Sequence, residues 1–260
     1  MIKEDLILFD GFQVFVKQVI VNDDLTKPFL IFLHDSWGCI QMWGDFPEKL
    51  IPYCGLNVLI YDRRGYGKSS AFDTEARNKY YLHHEADFLI QLMDRLQISS
   101  GILYGHSDGA TISIIAGANY PSYFKGLILE SAHTFIEEKG KQAVRESRDK
   151  AKQNSLLQSL EKFHGDKTEE LFKRWHEAWL SDLLINWNIV PLLKNIACPV
   201  LALRGENDPY DTTEQLFVLE REIRTKTTAV LIPNAAHVPR RENEVVAMPL
   251  IFNFLSSLHY

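Results

Sequence analysis

Cysteine is scarce, with three in 260 residues. Cys39, Cys54 and Cys198 are odd in number, widely spaced and without the CxxC pairing of zinc or redox sites, so they read as reduced core thiols of a cytoplasmic protein. No stretch approaches the roughly 18 uninterrupted apolar residues of a membrane span. The opening Met1-Ile-Lys-Glu-Asp-Leu6 carries acidic residues and no apolar run of secretory length, so neither secretion nor a membrane anchor is expected. Basic residues are also in the minority, 28 Lys and Arg against 34 Asp and Glu, for a net charge of −6. Binding a nucleic-acid backbone needs a concentrated basic face, so no nucleic-acid partner is expected. A Gly-x-Gly-x-x-Gly run, a phosphate-binding lysine loop and a metal-ligand cluster are all missing, which implies no cofactor and no metal. Repeats and low-complexity tracts are missing as well.

What remains is a folded chain, 46% hydrophobic and 12% aromatic, of a length that suits one domain with an insertion. Phe12, Val14 and Val16 alternate with Gln13, Phe15 and Lys17 in strand fashion, an antiparallel start. The pattern then changes to short continuous apolar runs at 29–33, 57–61, 102–104, 127–129, 200–203 and 229–232, as in strands buried on both faces. Between them lie helical stretches, clearest over 75–96, where Tyr81, Phe88, Leu89, Leu92, Met93 and Leu96 recur at helical spacing. This alternation predicts an α/β fold with a mainly parallel sheet and helices on both faces. Residues 134–190 contain no convincing strand and read as amphipathic helices separated around His164-Gly165-Asp166. Their 10 basic and 10 acidic residues cancel. The domain division is therefore a core of 1–133 and 191–260 with a helical cap insertion over 134–190.

The segment 102–110 runs from a strand through Gly105-His-Ser-Asp-Gly109 into an apolar helix. Ser107 sits where a sharp strand-to-helix turn would push a hydroxyl into a cleft, with Gly105 and Gly109 clearing the neighbouring backbone. A serine hydroxyl needs a base, most often a histidine held by a carboxylate. Asp208 and His237 follow the runs ending at Leu203 and Ile232, at the sheet edge where Ser107 would lie, and complete a Ser, Asp, His order. The N–H of Asp108, at a helix N-terminus, is an oxyanion donor, and the Asp108 side chain reads as a helix-terminal charge. His106 reads as packing. His83 and His84 lack partners at metal-ligand spacing.

On these residues, together with the His34-Asp-Ser-Trp-Gly38 and Asp62-Arg-Arg-Gly-Tyr-Gly-Lys-Ser69 segments, the chain resembles the α/β-hydrolase fold superfamily over nearly its whole length. The resemblance implies an eight-stranded sheet and a cap over the site. It also implies a second oxyanion donor in the loop after Leu33. That loop commonly begins His-Gly in the family and begins His34-Asp35 here; by position the donor is the N–H of Ser36, with Trp37 as the alternative. Some members carry the triad carboxylate one strand earlier, where Glu130 would serve. In this frame His34 braces the oxyanion loop and Arg63 and Arg64 anchor neighbouring turns. Phe172, Trp175, Trp179 and Leu183 form one helical stripe in the cap. With Trp37 across the cleft, Trp175 and Trp179 are the candidate substrate-binding residues for an apolar acyl or aromatic group. The expected function is a serine hydrolase acting through an acyl-enzyme, with a small-molecule acyl ester or thioester and water as its partners. A carbon–carbon bond hydrolase using the same residues, a ligand-binding scaffold with little turnover, and cofactor-free oxygen or peroxide chemistry are the competing readings.

Overall fold

A computed structural model describes residues 1–24, 26–75, 77–151 and 156–259. Eight strands form one sheet: β1 (Ile2–Phe9), β2 (Phe12–Val19), β3 (Phe29–Leu33), β4 (Val58–Tyr61), β5 (Gly101–His106), β6 (Phe124–Glu130), β7 (Val200–Gly205) and β8 (Thr227–Ile232). Their order is β1-β2-β4-β3-β5-β6-β7-β8. β2 runs antiparallel to both β1 and β4, and every pair from β4 through β8 is parallel. The antiparallel start and the continuous apolar runs thus fall where the sequence places them.

Parallel neighbours require crossovers, which here are helical and cover both faces. The helices are α1 (Phe46–Cys54), α2 (Tyr81–Arg95), α3 (Asp108–Asn119), α4 (Glu138–Ala151), α5 (Leu156–His164), α6 (Thr168–Leu180), α7 (Glu214–Glu222), α8 (Pro239–Glu242) and α9 (Glu244–Ser257). Side chains alternate along a strand, so β3 sends Phe29, Ile31 and Leu33 into the cluster under α2, α3 and α7, and Leu30 and Phe32 into the one under α1 and α9. α3 is buried along its whole length up to Ala118, so its mostly apolar residues form no single apolar face. No helix among the described residues is long and apolar enough to cross a membrane.

Two expectations need correction. The helix expected from residue 75 begins at Tyr81, because the Asn78 side chain accepts the Tyr80 N–H at 2.8 Å and turns the chain first. Leu183 does not extend the aromatic stripe: α6 ends at Leu180, and Leu183 is exposed in the following short turn.

α4, α5 and α6 lie between β6 and β7, and Gly165, at φ +60°, breaks the chain between α5 and α6. The two ends of this stretch meet. Phe135 bridges Asn188, and the Ile189 N–H donates to the Thr134 carbonyl at 2.7 Å.

Candidate active site

The end of β5 and the start of α3 leave one residue for the turn. Ser107 takes φ 55° and ψ −119°, a conformation that a side chain seldom adopts and that surrounding packing must hold. The close approach depends on two glycines. A Cβ on Gly105 would overlap the Gly109 carbonyl and Ser113 Oγ, and one on Gly109 would overlap the Leu33 and His34 carbonyls. The same intimacy recurs at the end of β7, where a Cβ on Gly205 would strike the carbonyls of Ala235 and Ala236, just before His237.

These turns bring three expected residues together. His237 Nε2 is 3.0 Å from Ser107 Oγ, and its Nδ1 is 3.0 Å from both carboxylate oxygens of Asp208. Burial alone would raise the Asp208 carboxyl. The His237 charge and hydrogen bond, with Arg204 and the Tyr210 N–H, outweigh burial and hold it well below the usual carboxylate range. Arg204 Nη1 donates to Asp208 Oδ2 at 2.8 Å, and Lys139 Nζ donates to the Asp208 and Asp211 carbonyls at 2.7 Å. Glu130 faces elsewhere: its Oε1 accepts the Arg240 N–H at 2.8 Å, and its Oε2 pairs with the Arg240 guanidinium and the Tyr104 hydroxyl.

The His237 backbone is held too. Its carbonyl accepts from Ser131 Oγ at 3.0 Å and from His106 Nε2 at 2.9 Å. His106 Nδ1 lies 3.0 Å from Asp35 Oδ2, so His106 ties the loop after β3 to the loop after β8. It lines the cavity instead of merely packing. Asp35, the departure from His-Gly, therefore has a partner. Burial would raise its carboxyl, but the His106 hydrogen bond and charge hold it well below the usual range. Its Oδ1 also accepts the Trp37 N–H at 2.7 Å, which commits that donor. The N–H groups of Ser36 and Asp108 form no hydrogen bond among the described residues. His34 does brace this loop: its Nε2 accepts the Arg63 N–H at 3.1 Å, and the buried Arg63 guanidinium donates to the Asp35 carbonyl at 2.9 Å.

Ser107, His237, Ser36 and Asp108 open on a cavity of about 250 Å³. Its walls are mostly apolar, formed by Trp37, Met42, Val144, Trp175, Trp179 and Tyr210. Trp37 meets Trp175 edge-on at 4.6 Å between ring centroids, while Phe172 packs beside both without lining the cavity. Trp43 lies in the core against Phe32 and Tyr104. Sequence reasoning missed His133, Tyr210 and Asp211. They lie within three residues of Glu130 or Asp208 but match no motif, and the loops after β6 and β7 bring them to the cavity.

The sequence matches the alpha/beta hydrolase fold over residues 28–169. Serine hydrolase BPHL of Homo sapiens is 30% identical over 159 residues, 58% of this chain and 53% of that protein, so the chain spans about half the length of that relative. The 2-(acetamidomethylene)succinate hydrolase of Mesorhizobium japonicum is 23% identical over 91% of each chain. Among solved structures, the enol-lactonase of Burkholderia xenovorans superposes with a TM-score of 0.75 at 17% identity, covering 97% of this chain and all of that one, a likeness of fold. Joined to an eight-stranded sheet whose fifth strand ends in a strained serine, the match from β3 into α6 settles the family: the chain belongs to the alpha/beta hydrolase fold.

Proposed function

We propose that the protein is a cytoplasmic serine hydrolase that cleaves carboxylic esters or thioesters of small to medium hydrophobic acids through an acyl-enzyme. The observation that carries this reading is the unbroken hydrogen-bonded line Asp208–His237–Ser107 at the wall of an apolar cavity. His237 Nε2 takes the Ser107 proton as Oγ adds to the substrate carbonyl, and Asp208 stabilises the imidazolium that forms. The oxyanion accepts the N–H groups of Ser36 and Asp108. Collapse breaks the bond to the leaving group, which receives the proton from His237. Water then adds to the acyl-enzyme with His237 again as base, releasing the acid and restoring Ser107. Residues 134–190 act as the cap, with Trp175 and Trp179 roofing the acyl group against Trp37. The remaining residues, 1–133 and 191–260, form the hydrolase core.

A fluorophosphonate probe should label one site stoichiometrically. Ser107→Ala should abolish labelling and lower ester turnover by on the order of 10⁴-fold or more while leaving the melting temperature near that of the parent. Labelling or turnover that survives in this variant overturns the mechanism. Profiling acyl chain length across ester, thioester, amide and diketone substrates then ranks the substrate classes.

A further inference from the structure

Asp108 follows the nucleophile directly, is completely buried and lines the cavity, and neither of its carboxylate oxygens has a hydrogen-bond donor among the described residues. His133, three residues beyond the end of β6, lines the same cavity and is 5% exposed. Its Nδ1 is 3.2 Å from Asp211 Oδ2. Its Nε2 stands 3.5 Å from Asp108 Oδ1, close enough for an ion pair but without hydrogen-bond geometry, and has no other partner among the described residues. Burial opposes a charge on this imidazole, yet the carboxylates of Asp108 and Asp211 on either side outweigh burial and push its pKa up to about 9. The cavity wall therefore presents an N–H donor beside an ionised acceptor. Buried polar atoms in folded proteins are nearly always paired, and these open on a space built to receive a ligand.

Charge narrows the choice of ligand group. A substrate ammonium would meet the His133 cation, and a carboxylate would meet Asp108, with Asp211 behind His133. Arg63 and Arg77 already act on the Asp108 charge, and Arg204 lies 3.6 Å from Asp211, so neither carboxylate calls for a further cation. A hydroxyl suits both partners at once, donating its hydrogen to Asp108 and accepting from His133 Nε2. Trp179 meets the His133 ring in a T-shaped contact at 4.8 Å between centroids and adds apolar surface to the same cavity.

We propose that Asp108 and His133 form a recognition subsite for a neutral hydroxyl on a substrate carbon close to the scissile carbonyl. The proposal rests on the hydrolase reading and makes the preferred acid a hydroxy acid with an apolar remainder. A site that hydrogen-bonds a substrate hydroxyl discriminates against the analogue lacking it, because its own polar groups then go unpaired.

The test compares p-nitrophenyl esters of butyrate, 3-hydroxybutyrate and 3-aminobutyrate with the succinate half-ester. In the unaltered protein, kcat/KM should be highest for the hydroxy ester, by about tenfold or more over butyrate. His133→Phe should bring that ratio close to one. Binding of the same four esters to Ser107→Ala, followed by fluorescence of the cavity tryptophans, gives an order of affinity that requires no turnover, and the hydroxy ester should bind tightest. Equal binding of the hydroxy ester and butyrate, or tightest binding of the ammonium or carboxylate ester, overturns the subsite. Loss of all turnover with the hydroxyl preference kept in binding would retire the hydrolase reading and leave the subsite standing.

Discussion

Two arginines sort the carboxylates around His237. Arg240 occupies Glu130 from one side, and Arg204 steadies Asp208 while leaving it open to the imidazole. Asp208→Asn should therefore cost about 10⁴-fold in kcat by spoiling the orientation and tautomer of His237. Glu130→Gln should lower the melting temperature, since it leaves the buried Arg240 without its counter-charge, and should keep most turnover. The reverse pattern in ester kinetics would exchange the two roles. His133 gives a second residue-scale expectation. A free imidazole titrates near ~6.5, and the folded protein raises this one to about 9, so the native state binds the proton more tightly than the unfolded chain. Its stabilisation is complete below the unfolded value and fades as pH rises through the folded one. The melting temperature should accordingly fall by several degrees between pH ~7 and ~10. His133→Asn should lack that part of the decline, and superimposable alkaline slopes in a thermal-shift series would count against it.

At the scale of elements, α6 supplies two of the aromatic side chains that line the cavity. Trp175 and Trp179 are both nearly buried, lie one turn apart and line the cavity. Shrinking either to Ala removes burial worth on the order of a few kcal/mol. At least one of the two variants should lose kcat/KM on octanoate esters more than on acetate esters, because a short acyl chain does not reach the roof. Parallel loss across an acetate-to-octanoate series, with a lower melting temperature, would reduce both tryptophans to seating. The strands were legible in the sequence because burial on both faces leaves an uninterrupted apolar run, and α3 was legible because the glycine-flanked serine punctuates it. The start of α2 was not, since the Asn78 side chain turns the chain just before Tyr81, the first residue of the apolar periodicity. Leu183 kept the helical period after the helix had already stopped. Of the site, Ser107, Asp208 and His237 could be found because each follows a strand at one sheet edge. Asp35–His106 and Asp108–His133–Asp211 could not, because their members are brought together by loop closure across sequence separations of 71, 25 and 78, with no local pattern.

Across the whole molecule, Cys39 and Cys198 are both buried, and burial pushes their thiols up to about 12 and about 11. Both should resist thiol reagents in the native protein at neutral pH and react at the rate of opening of the surrounding structure. Labelling followed by mass spectrometry over a denaturant series should show them protected until the cooperative transition, and rapid native modification of either would contradict this packing. The junction where Phe135 faces Asn188 and Ile189 binds Thr134 has a consequence for the helices between them. A chain that leaves a scaffold and returns to it at one hydrogen-bonded stem presents that scaffold with the same two anchoring points, whatever lies between them. Lengthening the intervening loop costs closure entropy that grows only logarithmically. The helices on that stem are joined to the sheet as a graft is to its rootstock: a change in their length or number would leave the strand ends around Ser107 in register.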